Sequence, residues 1–218
     1  MTSAKEYWEN RILAWDADIY GERDDTRSRF LSWSRNPPEA VQFRFQTVLK
    51  HLAPYVQGKR VLEFSCGTGQ LCGELINLGA KTYRGIDISM AAIEKAKERN
   101  ASQNTSFECA DLITLTTIDA DLVVSTGLMT WISTAQIHHL FNIGGKTNFY
   151  HTVSEPRLSI RQMIRRIYDF RDTKKDYKAQ LKKTADIEAI AKQYGWNKTS
   201  IYRHKKLHSV ACISSLPL

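Results

Sequence analysis

Val61-Leu62-Glu63-Phe64-Ser65-Cys66-Gly67-Thr68-Gly69-Gln70-Leu71 decides the fold. Lys59 to Phe64 reads as a short buried strand, with β-branched and aromatic residues set between Gly58 and a small-residue loop. Gly69 to Asn77 then reads as a helix with Leu71, Leu75, Ile76 and Leu78 on one side. Strand, small-residue loop and helix in succession make a ligand site. Glycines let backbone approach a ligand with no Cβ in the way, and the helix N-terminus offers free N–H groups. The spacing Ser65-x-Gly67-x-Gly69 departs from the G-x-G-x-x-G fingerprint that cradles a pyrophosphate. Glu63 stands before the loop, where a carboxylate suits a cationic ligand group better. The competing interpretation is a tight βα turn without a ligand.

Downstream, strands and helices alternate. Lys81 to Ile86 reads as a second strand ending in Gly85-Ile86-Asp87-Ile88-Ser89, and Ser89 caps a helix through Arg99. Asp87 follows the glycine loop at the distance where a carboxylate accepts ribose hydroxyls in nucleotide folds. Asn104 to Glu108 is a third strand, followed by Cys109-Ala110-Asp111-Leu112. Ala120 to Ser125 is a fourth, apolar as a strand buried on both faces must be. Thr126-Gly127-Leu128-Met129-Thr130-Trp131-Ile132 follows it, then a helix capped by Ser133 or Thr134 and ended by Gly144-Gly145. Lys146 to His151 is a fifth strand. Arg157 to Phe170 and Tyr177 to Tyr194 follow helical period, and Trp196–Arg203 with Leu207–Ile213 form a hairpin.

These motifs resemble the class I S-adenosylmethionine-dependent methyltransferases. Glu63, Gly67 and Gly69 match that family's E/D-x-G-x-G-x-G, with Ser65 at the first glycine. Gly85-Ile86-Asp87-Ile88-Ser89 matches its second motif, Asp111-Leu112 its third, and Thr126 to Ile132 its methyl-facing loop. The resemblance implies a Rossmann-like, doubly wound, mostly parallel α/β sheet of about seven strands closed by an antiparallel hairpin. It implies S-adenosylmethionine as cofactor, held by Glu63, Ser65, Cys66, Gly67, Gly69, Asp87, Ile88, Asp111, Leu112 and Ser125. It also implies that the aromatic N-terminal segment, residues 1–35 (Tyr7, Trp8, Trp15, Tyr20, Phe30, Trp33), folds over the cofactor; an extra helix covering a sheet face is the alternative. The resemblance covers residues 58–151 well and the hairpin in outline.

At 218 residues one domain is the default, divided as an N-terminal helical cap over 1–52 and a core over 58–218 with a basic helical insertion near 155–194. Cys66, Cys72, Cys109 and Cys212 form no C-x-x-C pair, so free thiols are expected. His138-His139 lack a third ligand at metal spacing. The polar N-terminus and the lack of a long apolar run give a cytoplasmic expectation with no membrane partner. The net charge of +8 is uneven: Arg157 to Lys206 holds 15 Lys+Arg against 5 Asp+Glu, so the rest holds 16 against 18. A basic third suits an anionic partner, and a solvated lysine-rich helix face is the plain alternative.

Methyl transfer from a sulfonium is an in-line displacement, which chiefly requires alignment and exclusion of water. A base is needed only for a protonated acceptor. His151, expected at the end of the fifth strand, is the candidate base. Trp131, Tyr150, Arg157, Arg161 and Arg165 are candidate acceptor contacts. Tyr150 and His151 cannot share one face of a strand. The expected function is methylation of an O or N of a small anionic molecule. Methylation of tRNA, rRNA or protein through the basic third, and a non-catalytic cofactor-binding module, remain alternatives. A nicotinamide enzyme is disfavoured by the loop spacing and the hairpin.

Overall fold

The computed structural model describes residues 3–20, 38–156 and 179–218. Strands β1 (Arg60–Phe64), β2 (Thr82–Asp87), β3 (Thr105–Cys109), β4 (Leu122–Thr126), β5 (Asn148–Ser154), β6 (Ser200–Arg203) and β7 (Val210–Ser214) form one sheet in the order β3-β2-β1-β4-β5-β7-β6. The first five run parallel, and β7 enters antiparallel between β5 and β6. The doubly wound parallel sheet with its terminal hairpin is the expected one.

The described helices are α1 (Ala4–Glu9), α2 (Ile12–Tyr20), α3 (Pro38–Val56), α4 (Cys72–Asn77), α5 (Met90–Arg99), α6 (Thr134–Gly144) and α7 (Thr184–Gln193). Alternation along each strand sends Leu62, Phe64, Val123 and Phe149 to one face, where Ile137, Leu140 and Phe141 of α6 and Ile187 and Ile190 of α7 cover them. Val61, Tyr83, Leu122, Val124 and Tyr150 go to the other, beneath Val48, Leu52 and Val56 of α3 and Leu75 of α4. Each such fully buried aliphatic side chain contributes about 1.5–3 kcal/mol. The predicted Ser89 cap is present, accepting from Ala92 N–H at 3.2 Å. Ser133 caps α6 in a reciprocal box with Gln136.

Three expectations change. The helix expected from Gly69 begins at Cys72, because residues 65–71 are spent on tight turns. Of the stretch expected helical from Tyr177, residues 179–183 are a non-helical strap and the helix begins at Thr184. There the backbone N–H groups of Gln180 and Lys182 bond Thr130 O and Ser154 O instead of a helical turn. Strand β5 runs on to Ser154, which moves His151 from the strand's end to its interior. The Arg157–Phe170 helix lies outside the described residues.

Candidate cofactor site

The loop after β1 turns sharply because Ser65, Gly67 and Gly69 take φ values of 57°, 53° and 75°. Cys66 N–H donates to Ile86 O at 3.2 Å, and Gly69 N–H to Cys66 O at 3.0 Å. A Cβ on Gly69 would stand 3.1 Å from Ala96 Cβ and 2.6 Å from Asn100 Nδ2, so the loop can lie against α5 only as glycine. At Ser65 a Cβ must be carried in the left-handed region, which is a local strain.

Asp87 ties the neighbouring loops to this one. One carboxylate oxygen accepts from Gly67 N–H at 2.9 Å and the other from Ser89 N–H at 3.0 Å. Its carbonyl accepts from Ala110 N–H at 3.0 Å, which draws in the loop after β3. Burial raises the Asp87 pKa against the opposing pull of its N–H donors. Within that third loop Asp111 caps the turn Leu112–Thr114 through Ile113 N–H at 3.2 Å. Leu112 is buried, and Ile88, which follows Asp87 in the chain, is half-buried.

Glu63 is 1% exposed. It accepts from Tyr83 Oη at 2.5 Å and Thr126 Oγ1 at 3.4 Å, and so links β1 to the end of β4. Burial pushes its pKa up to about 8. Among the described residues no Lys or Arg forms an ion pair with it. Thus the loops after β1, β2 and β3 are hydrogen-bonded to one another through Asp87, and Glu63 bonds β2 and the end of β4 at the same sheet edge.

The N-terminal helices sit on this edge. Glu9 accepts from Met90 N–H at 2.8 Å and Ala91 N–H at 3.2 Å, so a carboxylate caps the positive end of α5. Asp16 accepts from Thr68 Oγ1, from Gln70 Nε2 at 3.0 Å and from Arg99 Nη2 at 3.2 Å. Buried Ile12 lies 3.9 Å from where a Cβ on Gly67 would stand. Tyr7 and Trp8 meet Trp131 with ring centroids 5.7 and 4.9 Å apart. Sequence reading missed Glu9, Asp16, Thr68, Tyr83 and Arg99. The available signal was Asp16 one helical turn after Ile12, a carboxylate on the buried stripe of α2.

Two candidates stand elsewhere than expected. His151 is 1% exposed, shares a hydrogen bond of 2.9 Å with Ser125 Oγ, and stacks on Phe149. Burial takes its pKa down to about 3, so it is a neutral core histidine with no solvent-facing proton to exchange. Ser125, fully buried, is its partner. Tyr150 faces the opposite side beneath α3, fully buried, bonded to His51 Nδ1 at 2.9 Å. Its hydroxyl is therefore held within the core and does not line the cleft. Trp131 is half-buried at the edge. Arg157, Arg161 and Arg165 lie outside the described residues.

Comparison with known proteins agrees with this arrangement. Residues 61–143 match the family model of a methyltransferase domain. A malonyl-[acyl-carrier protein] O-methyltransferase of Bacillus anthracis is 32% identical over 87 residues, 38% of this chain and 32% of that protein. Its Bacillus cereus counterpart is 27% identical over 92 residues, 41% of this chain and 34% of that one. The match thus spans about a third of these relatives' length. Among solved structures, magnesium protoporphyrin IX methyltransferase of Synechocystis PCC 6803 with bound SAH superposes with a TM-score of 0.74 at 20% identity, covering 96% of each chain. This likeness is one of fold. Residues 61–143 thus match a methyltransferase domain, and the sheet order and the loop after β1 agree with the fold of the solved S-adenosylhomocysteine-bound methyltransferase.

Proposed function

We propose that the chain transfers a methyl group from S-adenosylmethionine to an oxygen or nitrogen of a small anionic acceptor. One observation carries the reading: the three loops that follow β1, β2 and β3 are bonded to one another through Asp87, while Glu63 fastens the end of β4 to the same edge. The donor set suits this cofactor. Glu63 is a buried acid without a cationic partner among the described residues, which favours a sulfonium or ammonium nearby. Each Asp87 oxygen takes one N–H donor and keeps acceptor capacity for a ribose hydroxyl. Asp111 and Leu112 would meet the adenine, and the cofactor would supply the electrophilic methyl.

The protein's own part is alignment and exclusion of water. Glu63 and Asp87 fix the loops, the α1–α2 segment roofs them, and Trp131 walls the acceptor side. His151, neutral in the core, is no base in this scheme. An acceptor that arrives ionised, such as a carboxylate or phosphate oxygen, needs none. Malonyl-[acyl-carrier protein] and magnesium protoporphyrin IX, named for the matched proteins, open the test panel beside simple carboxylates and phosphates. Titration calorimetry with S-adenosylmethionine and S-adenosylhomocysteine comes first, then release of S-adenosylhomocysteine across the panel. Absence of binding to both nucleosides would sink the proposal. Binding without turnover on any acceptor would leave a cofactor-binding module.

A further inference from the structure

Lys182 lies half-buried on the strap that leads into α7. Its Nζ donates to Ile132 O at 2.5 Å, Met129 O at 3.1 Å and Gln180 O at 3.2 Å. An ammonium has three protons, and three carbonyls take them. The strap's backbone joins the same loop: Gln180 N–H donates to Thr130 O at 2.7 Å, and Lys182 N–H to Ser154 O at 3.1 Å. Thr130 Oγ1 donates to Ser154 Oγ at 3.0 Å.

The loop after β4 does not hold itself. It starts from Gly127 at φ 117° and makes one short 3-10 turn, Leu128–Thr130, closed by Thr130 N–H to Gly127 O and Trp131 N–H to Leu128 O. The carbonyls of Met129 and Ile132 accept from neither N–H that closes this turn and would need water or another donor. Lys182 supplies that donor with a charge-assisted bond. The loop so bonded carries Trp131, whose ring meets Tyr7 and Trp8 of α1. Burial, which lowers the Lys182 pKa, costs the charge solvation; the three carbonyls offset it.

We propose that Lys182 is the positioning residue of the acceptor side: by gripping the carbonyls of the 127–132 loop it sets the place of Trp131, the residue that walls the acceptor. This rests on the methyl-transfer reading for its meaning, while the placement itself can be measured without any acceptor. Lys182→Met keeps the apolar stem and removes the donors. Lys182→Arg restores donors, and Lys182→Gln provides a second, shorter donor should the Met variant be insoluble.

The indole N–H resonance of Trp131, assigned by its loss in Trp131→Phe, is followed in nitrogen–proton correlation spectra. Affinity for S-adenosylhomocysteine is measured in parallel by calorimetry. The expected result is a displaced Trp131 resonance in Lys182→Met, a smaller displacement in Lys182→Gln, and recovery in Lys182→Arg. Cofactor-product affinity should stay within about twofold, because the loops around Asp87 and Glu63 are untouched. An unmoved Trp131 in both Met and Gln variants overturns the proposal. So does displacement of all five tryptophan signals together, since Lys182 would then support the fold at large. Failure of the unaltered protein to bind S-adenosylhomocysteine would sink the methyl-transfer reading and leave the Trp131 measurement standing.

Discussion

Replacing Ser65 by glycine should stabilise the protein. Ser65 holds φ at 57°, in the left-handed region, at the position where the family pattern has glycine. A side chain there costs roughly 1–2 kcal/mol from the approach of Cβ to the following carbonyl. Glycine removes that clash, but its freer unfolded chain costs about 0.5–1 kcal/mol. The net gain for Ser65→Gly is about 0.5–1 kcal/mol, worth about 1–4 °C in Tm for a chain of this length. Ser65→Ala keeps the Cβ and serves as the control, with no gain expected. Urea unfolding followed by circular dichroism, with common slopes fitted to all three proteins, gives the difference. The loop's cofactor affinity is read from the same preparations by calorimetry. If Ser65→Gly is no more stable than Ser65→Ala, the strain is absent and serine is comfortable in this turn. That result would also remove backbone strain as the reason for treating this loop as departing from the family pattern.

Asp87→Asn should weaken S-adenosylhomocysteine binding by about 1.5–3 kcal/mol, roughly ten- to a hundredfold, because the N–H donors and the ligand lose a charged acceptor; an unchanged dissociation constant removes Asp87 from the site. Glu63 has its folded pKa raised to about 8, so it stabilises below its unfolded value near 4.5 and loses that contribution as pH rises through about 8. Glu63→Gln should therefore flatten the decline of stability between those limits, and parallel pH curves would contradict the burial of an uncompensated carboxyl. His151 has its folded pKa lowered to about 3 from 6.5, so its neutral form stabilises fully above 6.5 and the contribution is lost as pH falls toward 3. His151→Gln should accordingly blunt the acid side of the stability curve, and, where an acceptor is turned over, leave the pH dependence of kcat unchanged. Asp16→Ala strips Arg99, Thr68 and Gln70 of their shared acceptor and should speed proteolytic cleavage within α1–α2 in the absence of ligand; equal cleavage rates would show that Ile12 and the aromatic contacts suffice.

The sheet was legible because its signals are local. Val61–Phe64 and Leu122–Ser125 are apolar runs between turn residues, and Ser89 and Ser133 announce their helices by capping chemistry. Asp87 and Glu63 could be placed at one edge because parallel strands must all end there. What the sequence left hidden depends on pairings far apart in the chain. His151 looked like a strand-end base because nothing local says that Ser125, twenty-six positions earlier, will sit opposite it. Tyr150 looked like a pocket wall until α3 covered it with His51. Lys182 read as one lysine of a solvated face, since two of its three carbonyl partners, Ile132 and Met129, lie 50 and 53 positions earlier. Asp16 was passed over for the same reason, its partners being 52 to 83 positions away.

The order of the last three strands has a consequence for synthesis. β7, the later of the hairpin pair, lies inside β6 and bonds directly to β5 through the register Tyr150↔Ser214 to Ser154↔Val210. A nascent chain emerging from the ribosome therefore carries β5 with a bare hydrogen-bonding edge until residue 214 is free. Through that interval the strand Asn148–Ser154, with Phe149, Tyr150 and Val153, can pair with a neighbour on the same polysome, so co-translational aggregation should depend on how fast the sixty residues after Ser154 are delivered.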